Sequence, residues 1–154
     1  MYTAAAIIIL FYLLVVSFVF FNQRNFLYHP FENNYTKDIP DFSYEEVFIS
    51  TPNGNSLKGW FHKKDLVKKK TLVFFHGNAG SLENRTYKLN HFKNLKVNIW
   101  IVAWRGFNGN KGKPSELGLY EEAESAVRWL SHKGINEKDI ILYGESLGTG
   151  VAIE

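Results

Sequence analysis

The chain has 154 residues, enough for about one globular domain, and no cysteine, which excludes disulfide bonds and zinc sites built from thiolates. Its formal net charge is only +3, and no basic stripe with interleaved aromatic residues is present. Nucleic acid is therefore not an expected partner.

The first apolar segment, residues 4–21, carries no charged side chain and predicts a membrane-spanning helix. As a helix it would span about 27 Å, close to the thickness of a bilayer's hydrocarbon core. A cleaved signal peptide fits less well, because no Lys or Arg precedes the segment and Asn22-Gln23-Arg24 offers no small-x-small cleavage site. A buried core helix is the remaining alternative. We expect an uncleaved single-pass anchor over residues 1–23, with residues 4–21 in the lipid bilayer.

Positive charge follows the predicted anchor, since Arg24 and Lys37 lie after it and only the α-amino group lies before it. The positive-inside rule then places the following domain in the cytoplasm. Residues 25–31 are expected as an amphipathic exit from the membrane, within a linker over residues 24–42. The glycosylation sequon at Asn34 would matter only on the other side of the membrane, so we regard it as incidental.

The predicted globular part, residues 43–154, begins with a β-hairpin. Residues 44–50 and 56–62 have the character of strands, and Asn53-Gly54 favours the positive φ of a tight turn. Such a hairpin is typical of an antiparallel edge on a mostly parallel sheet. The charged segment Lys63–Lys70 is expected as a solvated loop, with contact to anionic lipid headgroups as the alternative.

Three apolar strands then alternate with two helices. The strands are predicted at 71–76, 97–104 and 140–143, the last buried on both faces, and the first helix at 82–95. The second helix opens with Ser115 as N-cap and stops at Gly134. The face that packs on the sheet is predicted to contain Tyr120, Ala123, Val127 and Leu130. Strand–helix–strand connections of this kind are right-handed, so the order predicts a parallel sheet.

The glycine-rich segment Arg105–Gly112 superficially resembles a phosphate-binding loop. It fails on spacing, because five residues separate Gly106 from the Gly112-Lys113 pair where a phosphate-binding loop has four, and Pro114 stands where Ser or Thr should bind Mg²⁺. We therefore expect no nucleotide partner.

The segment Gly144–Gly148 fits the G-x-S-x-G pattern of a nucleophile elbow around Ser146. A strand that turns sharply into a helix strains the central serine, and a side chain at Gly144 or Gly148 would collide with the neighbouring strand or helix. An ordinary glycine-rich turn is the alternative for so short a pattern.

A second motif decides between them, because His76-Gly77-Asn78-Ala79-Gly80-Ser81 follows an apolar strand. Such a loop can present the Asn78 N–H beside the elbow, where it would form an oxyanion hole with the N–H of Leu147. Acyl transfer needs such donors because negative charge develops on the carbonyl oxygen as the serine attacks. The two motifs together predict a serine hydrolase.

With these motifs the chain resembles the α/β-hydrolase superfamily, and within it the membrane-anchored Bem46 and ABHD13-like group. The resemblance rests on residues 23–30 (QRNFLYHP), 76–81 (HGNAGS), 105–107 (RGF) and 144–148 (GESLG). It departs at residues 103–108, which read AWRGFN where the family commonly has DYRGYG. The resemblance implies an α/β fold: the N-terminal half of an α/β-hydrolase, a mostly parallel sheet with an antiparallel N-terminal hairpin, behind one transmembrane helix.

By this resemblance Ser146 is the nucleophile, and the catalytic acid and base follow it in the chain. Neither partner lies within the eight residues after Ser146, so we expect a domain truncated after the elbow, with little turnover by itself. The chain's histidines are not expected to activate the serine: His29, His62, His76, His91 and His132. His76 belongs to the motif, where with Gly77 it shapes the oxyanion loop.

No metal and no organic cofactor is implied by this chemistry. Two hypotheses without catalysis stay open beside the hydrolase: an inert, truncated hydrolase-like membrane protein, and a lipid-surface binding module that uses the Lys63–Lys70 loop.

Overall fold

The computed structural model describes residues 2–30 and 38–154. The strands are β1 (Glu45–Ser50), β2 (Ser56–His62), β3 (Thr71–Phe75), β4 (Asn98–Val102) and β5 (Ile140–Gly144). The α-helices are α1 (Tyr2–Leu27), α2 (Thr86–Phe92), α3 (Glu116–His132) and α4 (Leu147–Ile153). Single 3₁₀ turns lie at Glu83–Arg85, Lys93–Leu95 and Glu137–Asp139. The predictions for Phe31, the sequon at Asn34 and the charge of Lys37 fall outside the described residues.

Helix α1 has the length and composition to cross a bilayer, and it is the one such helix in the described part of the chain. Its 26 residues extend about 39 Å, from residue 2 to Leu27, beyond the predicted end of the anchor at residue 23. None of its residues is buried against the rest of the protein, so it is not a core helix of the domain.

The five strands form one sheet in the order β1-β2-β4-β3-β5. Strand β2 pairs antiparallel with both β1 and β4, whereas β3 pairs parallel with β4 and with β5. The predicted hairpin on the edge of a parallel sheet is confirmed. Its turn has positive φ at Gly54 (φ 81°), whose N–H donates to the Thr51 carbonyl at 2.9 Å, and Asn53 keeps a negative φ.

Strands β3 and β4 form the centre of the core, and every residue of both is buried. Large aromatic side chains on these strands and just after them fill the core, including Phe74, Phe75, Trp100 and Trp104, each no more than 1% exposed. The carboxyl ends of β3 and β5 lie side by side, since Phe75 is paired with Gly144. This register brings the loop after β3 next to the turn after β5.

Three predictions about elements need correction. The helix predicted at 82–95 is a 3₁₀ turn, the short helix α2 and a second 3₁₀ turn. The buried face of α3 includes Ala123 and Leu130 as predicted, but Tyr120 and Val127 are only partly buried, and Leu119 and Ala126 are the other apolar residues that pack inside. The third correction concerns β5 and is described below.

The two ends of α3 are as predicted. Ser115 caps α3, its hydroxyl accepting from the Gly118 N–H at 3.2 Å, and Gly134 follows its end with φ 83°.

Strand β5 is not buried on both faces. Ile141 is 39% and Leu142 46% exposed, because β5 is an edge strand within the described residues and nothing there covers its outer side. The run of apolar residues correctly predicts a strand, but burial depends on neighbours that the local sequence does not reveal.

Candidate active site

Ser146 lies in a tight turn between the end of β5 and the start of α4. Its backbone has φ 51° and ψ −116°, a combination that a residue with a side chain rarely adopts. The turn leaves Ser146 exposed. A strained, exposed serine between a strand and a helix is the geometry that the G-x-S-x-G pattern predicts.

The glycines on either side of Ser146 are required by close backbone contacts. A Cβ at Gly148 would lie 2.1 Å from the Phe75 carbonyl oxygen, and a Cβ at Gly144 would lie 2.4 Å from the Gly148 carbonyl oxygen. The expected collisions with the neighbouring strand and helix are thus confirmed. Because Gly144 and Gly148 have no side chains, α4 can pack directly on the end of β3, and this packing fixes the position of the turn.

The loop after β3 lies directly against this turn. A Cβ built on Gly77 would be 3.4 Å from the Cβ of Ser146 and 3.4 Å from the Glu145 carbonyl oxygen. The two predicted oxyanion donors are the next residues in the chain: Asn78 follows Gly77, and Leu147 follows Ser146. Each donor is therefore one residue away from the close approach between Gly77 and Ser146. Among the described residues, neither the Asn78 N–H nor the Leu147 N–H donates a hydrogen bond. Their role as an oxyanion hole stays a prediction.

His76 is fully buried and structurally occupied. Its Nε2 accepts from the Trp104 N–H at 3.2 Å, so the proton is on Nδ1, which donates to the Gly77 carbonyl at 2.8 Å. Burial, reinforced by the positive charge of Arg85, lowers the pKa of His76 to about 3. A neutral histidine with both nitrogens engaged shapes the loop and has no nitrogen left for a proton of Ser146.

The segment that departs from the family pattern supports this loop. The indole Nε1–H of Trp104 donates to the His76 carbonyl at 2.9 Å, and its ring stacks on Phe75 with centroids 5.5 Å apart. Asn108, at φ 53°, accepts the Leu82 N–H on its side-chain oxygen. The sequence AWRGFN thus provides a buried support for residues 76–82 despite the departure.

Arg105, in the same segment, forms a buried ion pair with Glu122 of α3. Burial raises the pKa of Glu122, although the Arg105 hydrogen bonds and charge act in the opposite direction. The guanidinium also donates to the Gly118 carbonyl at 3.1 Å and to Glu121 at 3.0 Å. These contacts attach the start of α3 to the end of β4.

Glu145, beside Ser146, is held by two cations from the segment that follows the His76 loop. Arg85 lies 3.2 Å from one carboxylate oxygen and Lys88 lies 2.6 Å from the other. Both Arg85 and Glu145 are mostly buried, so the pair is weakly screened by solvent. The elbow is therefore attached to the 3₁₀ turn and α2 as well as to β3.

The remaining histidines lie elsewhere, and all five belong to the described residues. His29, His62 and His91 each contact a nearby backbone carbonyl, and His132 is exposed at the end of α3. No histidine nitrogen forms a hydrogen bond with the Ser146 hydroxyl. Among the described residues there is also no cluster of His, Cys, Asp or Glu that could hold a metal ion.

One contact at the site was not foreseen from the sequence. The segment that ends α1 reaches the oxyanion loop: the Asn78 side-chain amide donates to the Leu27 carbonyl at 2.7 Å, and the His29 N–H donates to the Asn78 carbonyl at 2.8 Å. Tyr28, between them, is 8% exposed. The motif QRNFLYHP gave the only signal, because it combines apolar and hydrogen-bonding residues directly after the anchor.

A cavity of about 320 Å³ adjoins the elbow. Its lining combines the end of α1, the first turns of α3 and the elbow helix: Leu27, Tyr28, Glu116, Leu119, Tyr120, Leu147, Gly150 and Val151. A larger groove of about 720 Å³ runs between α3 and the exposed side of β5, and Leu147 is not among its lining residues. Ser146 lines neither space. The smaller cavity is the one next to the predicted chemistry, because Leu147 borders it.

Comparison with known proteins finds relatives that match most of the chain. The uncharacterised protein YfhR of Escherichia coli K12 is 32% identical over 149 residues, which cover 91% of this chain and 52% of that protein. Protein bem46 of Schizosaccharomyces pombe is 27% identical (92% of this chain, 50% of that protein), and the alpha/beta hydrolase domain-containing protein WAV2 of Arabidopsis thaliana 28% (84% and 45%). Over most of its length the chain is similar to α/β-hydrolases, and it has their fold.

Solved α/β-hydrolases have the same fold. An alpha-beta hydrolase from Vibrio vulnificus superposes with a TM-score of 0.63 at 29% identity, over 70% of this chain and 37% of that one. The Pyrococcus furiosus esterase Pf2001 gives a TM-score of 0.63 at 23% identity, over 82% and 50%. No protein-family model matches the sequence. The chain spans about half the length of the curated relatives it matches.

Proposed function

We propose that this α/β-hydrolase is a membrane-anchored serine hydrolase that transfers an acyl group from an ester, thioester or amide to water. The observation that carries the proposal is the backbone of Ser146, held at φ 51° with its Cβ 3.4 Å from a Cβ built on Gly77. Within the described residues the neighbouring N–H groups of Asn78 and Leu147 donate no hydrogen bond, which supports their proposed role as oxyanion donors. Strain of this kind persists only where the surrounding contacts enforce it, and it is common at active sites.

In the proposed reaction the Ser146 hydroxyl oxygen attacks the acyl carbon while a base takes its proton. The N–H groups of Asn78 and Leu147 stabilise the negative oxygen of the tetrahedral intermediate. The leaving group departs with a proton, and water then hydrolyses the acyl-enzyme and restores the serine. Because no histidine of the described residues forms a hydrogen bond with Ser146, we propose that the acid and the base lie beyond residue 154.

Helix α1 is proposed to hold the domain at a membrane, with residues 4–21 in the bilayer and the domain on the cytoplasmic side. The apolar side chains of the helix support this, since they are exposed along its whole length. Exposed apolar surface of that extent is unfavourable in water and favourable in hydrocarbon.

The test is labelling by a fluorophosphonate, which reacts with activated serines. We expect the chain in lipid vesicles to be labelled slowly, added imidazole to accelerate labelling by accepting the serine proton, and Ser146→Ala to remove it. Equal labelling of wild type and Ser146→Ala would exclude Ser146 as the nucleophile. No labelling of the wild type, even with imidazole, would favour the inert hydrolase-like protein.

The lipid-binding alternative is less well supported. The Lys63–Lys70 loop precedes β3, whereas the Asn78 loop, which contacts the end of α1, follows it. The two loops are therefore at opposite ends of the sheet, and the lysines are on the side away from the end of α1.

A further inference from the structure

The end of α1 is joined to the oxyanion loop by a compact set of contacts. Leu27 accepts a hydrogen bond from the Asn78 side chain at 2.7 Å, His29 donates its N–H to the Asn78 carbonyl at 2.8 Å, and His29 forms a parallel bridge with Ala79. Asn78 is thus held through its side chain and its carbonyl, while its own N–H donates to no described group.

These contacts belong to the folded core rather than to a loose tether. Tyr28 is 8% exposed and joins the hydrophobic core, and its N–H donates to the Arg24 carbonyl at 2.9 Å. Burial, followed by the charge of Glu116, raises the pKa of Tyr28, so its phenol is neutral where it packs. Leu27 and Tyr28 also line the cavity beside Leu147.

We propose that residues 27–29 are positioning residues of the active site, which hold the Asn78 amide in the orientation that oxyanion binding requires. This inference rests on the proposed function. The Asn78 N–H lies in the peptide group that it shares with the Gly77 carbonyl, and that carbonyl accepts from His76 Nδ1 at 2.8 Å. The next peptide group is held through the Asn78 carbonyl by the His29 N–H, and the Asn78 side chain is held by the Leu27 carbonyl, so residues 27–29 fix the other side of Asn78. The anchor would therefore contribute to catalysis as well as to location.

The alternative is that the segment only tethers the domain. A tether would change stability or membrane binding when weakened, but it would leave the order of the Asn78 amide and the reactivity of Ser146 unchanged. An orienting contact acts on the chemical step instead, because misplacing a group that stabilises the transition state lowers the rate of reaction more than it weakens binding.

A matched pair of variants separates the two. His29→Pro removes the N–H that donates to Asn78, whereas His29→Ala keeps it, and the His29 side chain is exposed. We expect His29→Pro to lower the maximal rate of fluorophosphonate labelling about tenfold or more, with little change in the probe concentration at half-saturation. His29→Ala keeps the N–H and should therefore label about tenfold or more faster than His29→Pro. Equal maximal rates for the two variants would overturn the inference.

A second readout does not depend on labelling. In the ¹⁵N-labelled chain in lipid nanodiscs, we expect the order parameter of the Asn78 amide to fall in His29→Pro and to stay unchanged in His29→Ala. If the wild type is not labelled, the proposed function fails, and this measurement still decides whether residues 27–29 order the loop. Unchanged order in His29→Pro would overturn the inference.

Asn78→Asp provides a variant that leaves the backbone of residues 27–29 intact, in case His29→Pro does not fold. It keeps the Asn78 N–H and the side-chain shape, but replaces the amide donor to Leu27 with a carboxylate. We expect the same fall in the order of the residue-78 amide. A well-ordered amide in a folded Asn78→Asp chain would contradict the positioning role of Leu27.

Discussion

Ser146 has a backbone conformation that ordinarily belongs to glycine, and its strain can be measured. At φ 51° and ψ −116° a non-glycine residue costs about 1–3 kcal/mol, whereas glycine carries an unfolded-state penalty of up to about 1 kcal/mol. We expect Ser146→Gly to increase the free energy of unfolding by about 1 kcal/mol while removing fluorophosphonate labelling. Chemical denaturation measures the first effect.

Ser146→Ala is the matched control, because alanine loses the hydroxyl but keeps the Cβ that makes this conformation unfavourable. It should also lose labelling, with little change in stability. If Ser146→Gly were no more stable than Ser146→Ala, the turn would not be storing strain.

His76 makes stability depend on pH. Its pKa is about 3 in the folded protein and 6.5 without the protein environment, so between these values the unfolded chain binds more protons. The contribution of His76 is complete above pH 6.5 and is lost as the pH falls towards 3, with a slope of up to about 1.4 kcal/mol per pH unit.

We expect denaturant unfolding curves at pH 7 and pH 5 to show this loss in the wild type. In His76→Gln, which cannot titrate, the difference between the two pH values should be smaller. A difference of equal size would mean that His76 can accept a proton in the folded protein. Carboxylates that also titrate in this range cancel in the comparison.

The elbow helix α4 is short, and its position depends on glycines that the chain allows us to compare. A Cβ at Gly148 would lie 2.1 Å from the Phe75 carbonyl, but a Cβ at Gly150 meets nothing within 4 Å. We expect Gly148→Ala to lower the free energy of unfolding by about 3 kcal/mol or more through this collision. Gly150→Ala should raise it by about 0.5–1 kcal/mol, since alanine favours a helix. Thermal unfolding of both variants is the measurement, and similar stabilities would contradict the packing of α4 on β3.

The elements of the domain were largely predictable, because they depend on local patterns. Strand β2, the Ser115 cap, the end of α3 before Gly134 and the parallel order of the last three strands all follow from apolar periodicity and turn residues. The helix at 82–95 was predicted as continuous, since its irregularity comes from packing. Arg85 there is drawn towards Glu145, 60 residues later, and no local pattern contains that information.

The candidate site, like the fold, was predictable from the sequence only where local motifs determine it. The G-x-S-x-G and His-Gly-Asn motifs place Ser146, Asn78 and Leu147 on adjoining turns, because parallel strands bring their carboxyl ends to one edge of the sheet. The hydrogen bonds from Asn78 and His29 could not be predicted, since they depend on where the chain after α1 meets the domain. The buried Arg105–Glu122 pair was missed for the same reason.

In the molecule as a whole, β5 is an edge strand of the described sheet with exposed apolar side chains. Ile141 and Leu142 are 39% and 46% exposed, and such an edge promotes pairing between copies. We expect the chain in detergent micelles to self-associate, and Leu142→Lys to lower the associated fraction by placing a charge on the edge. Val67→Lys, at a loop residue that is 92% exposed, is the control. Sedimentation velocity measures the association, and equal sedimentation of all three chains would contradict a role for this edge.

The five lysines between residues 63 and 70 allow the orientation of the protein in the membrane to be measured by proteolysis. They lie at the end of the sheet remote from α1, in an exposed stretch of chain that trypsin can reach without disturbing the hydrolase motifs. When trypsin is added to intact cells, cleavage at these lysines before permeabilisation means that the domain faces outward. Cleavage only afterwards means that it faces the cytoplasm, as the charge of Arg24 predicts.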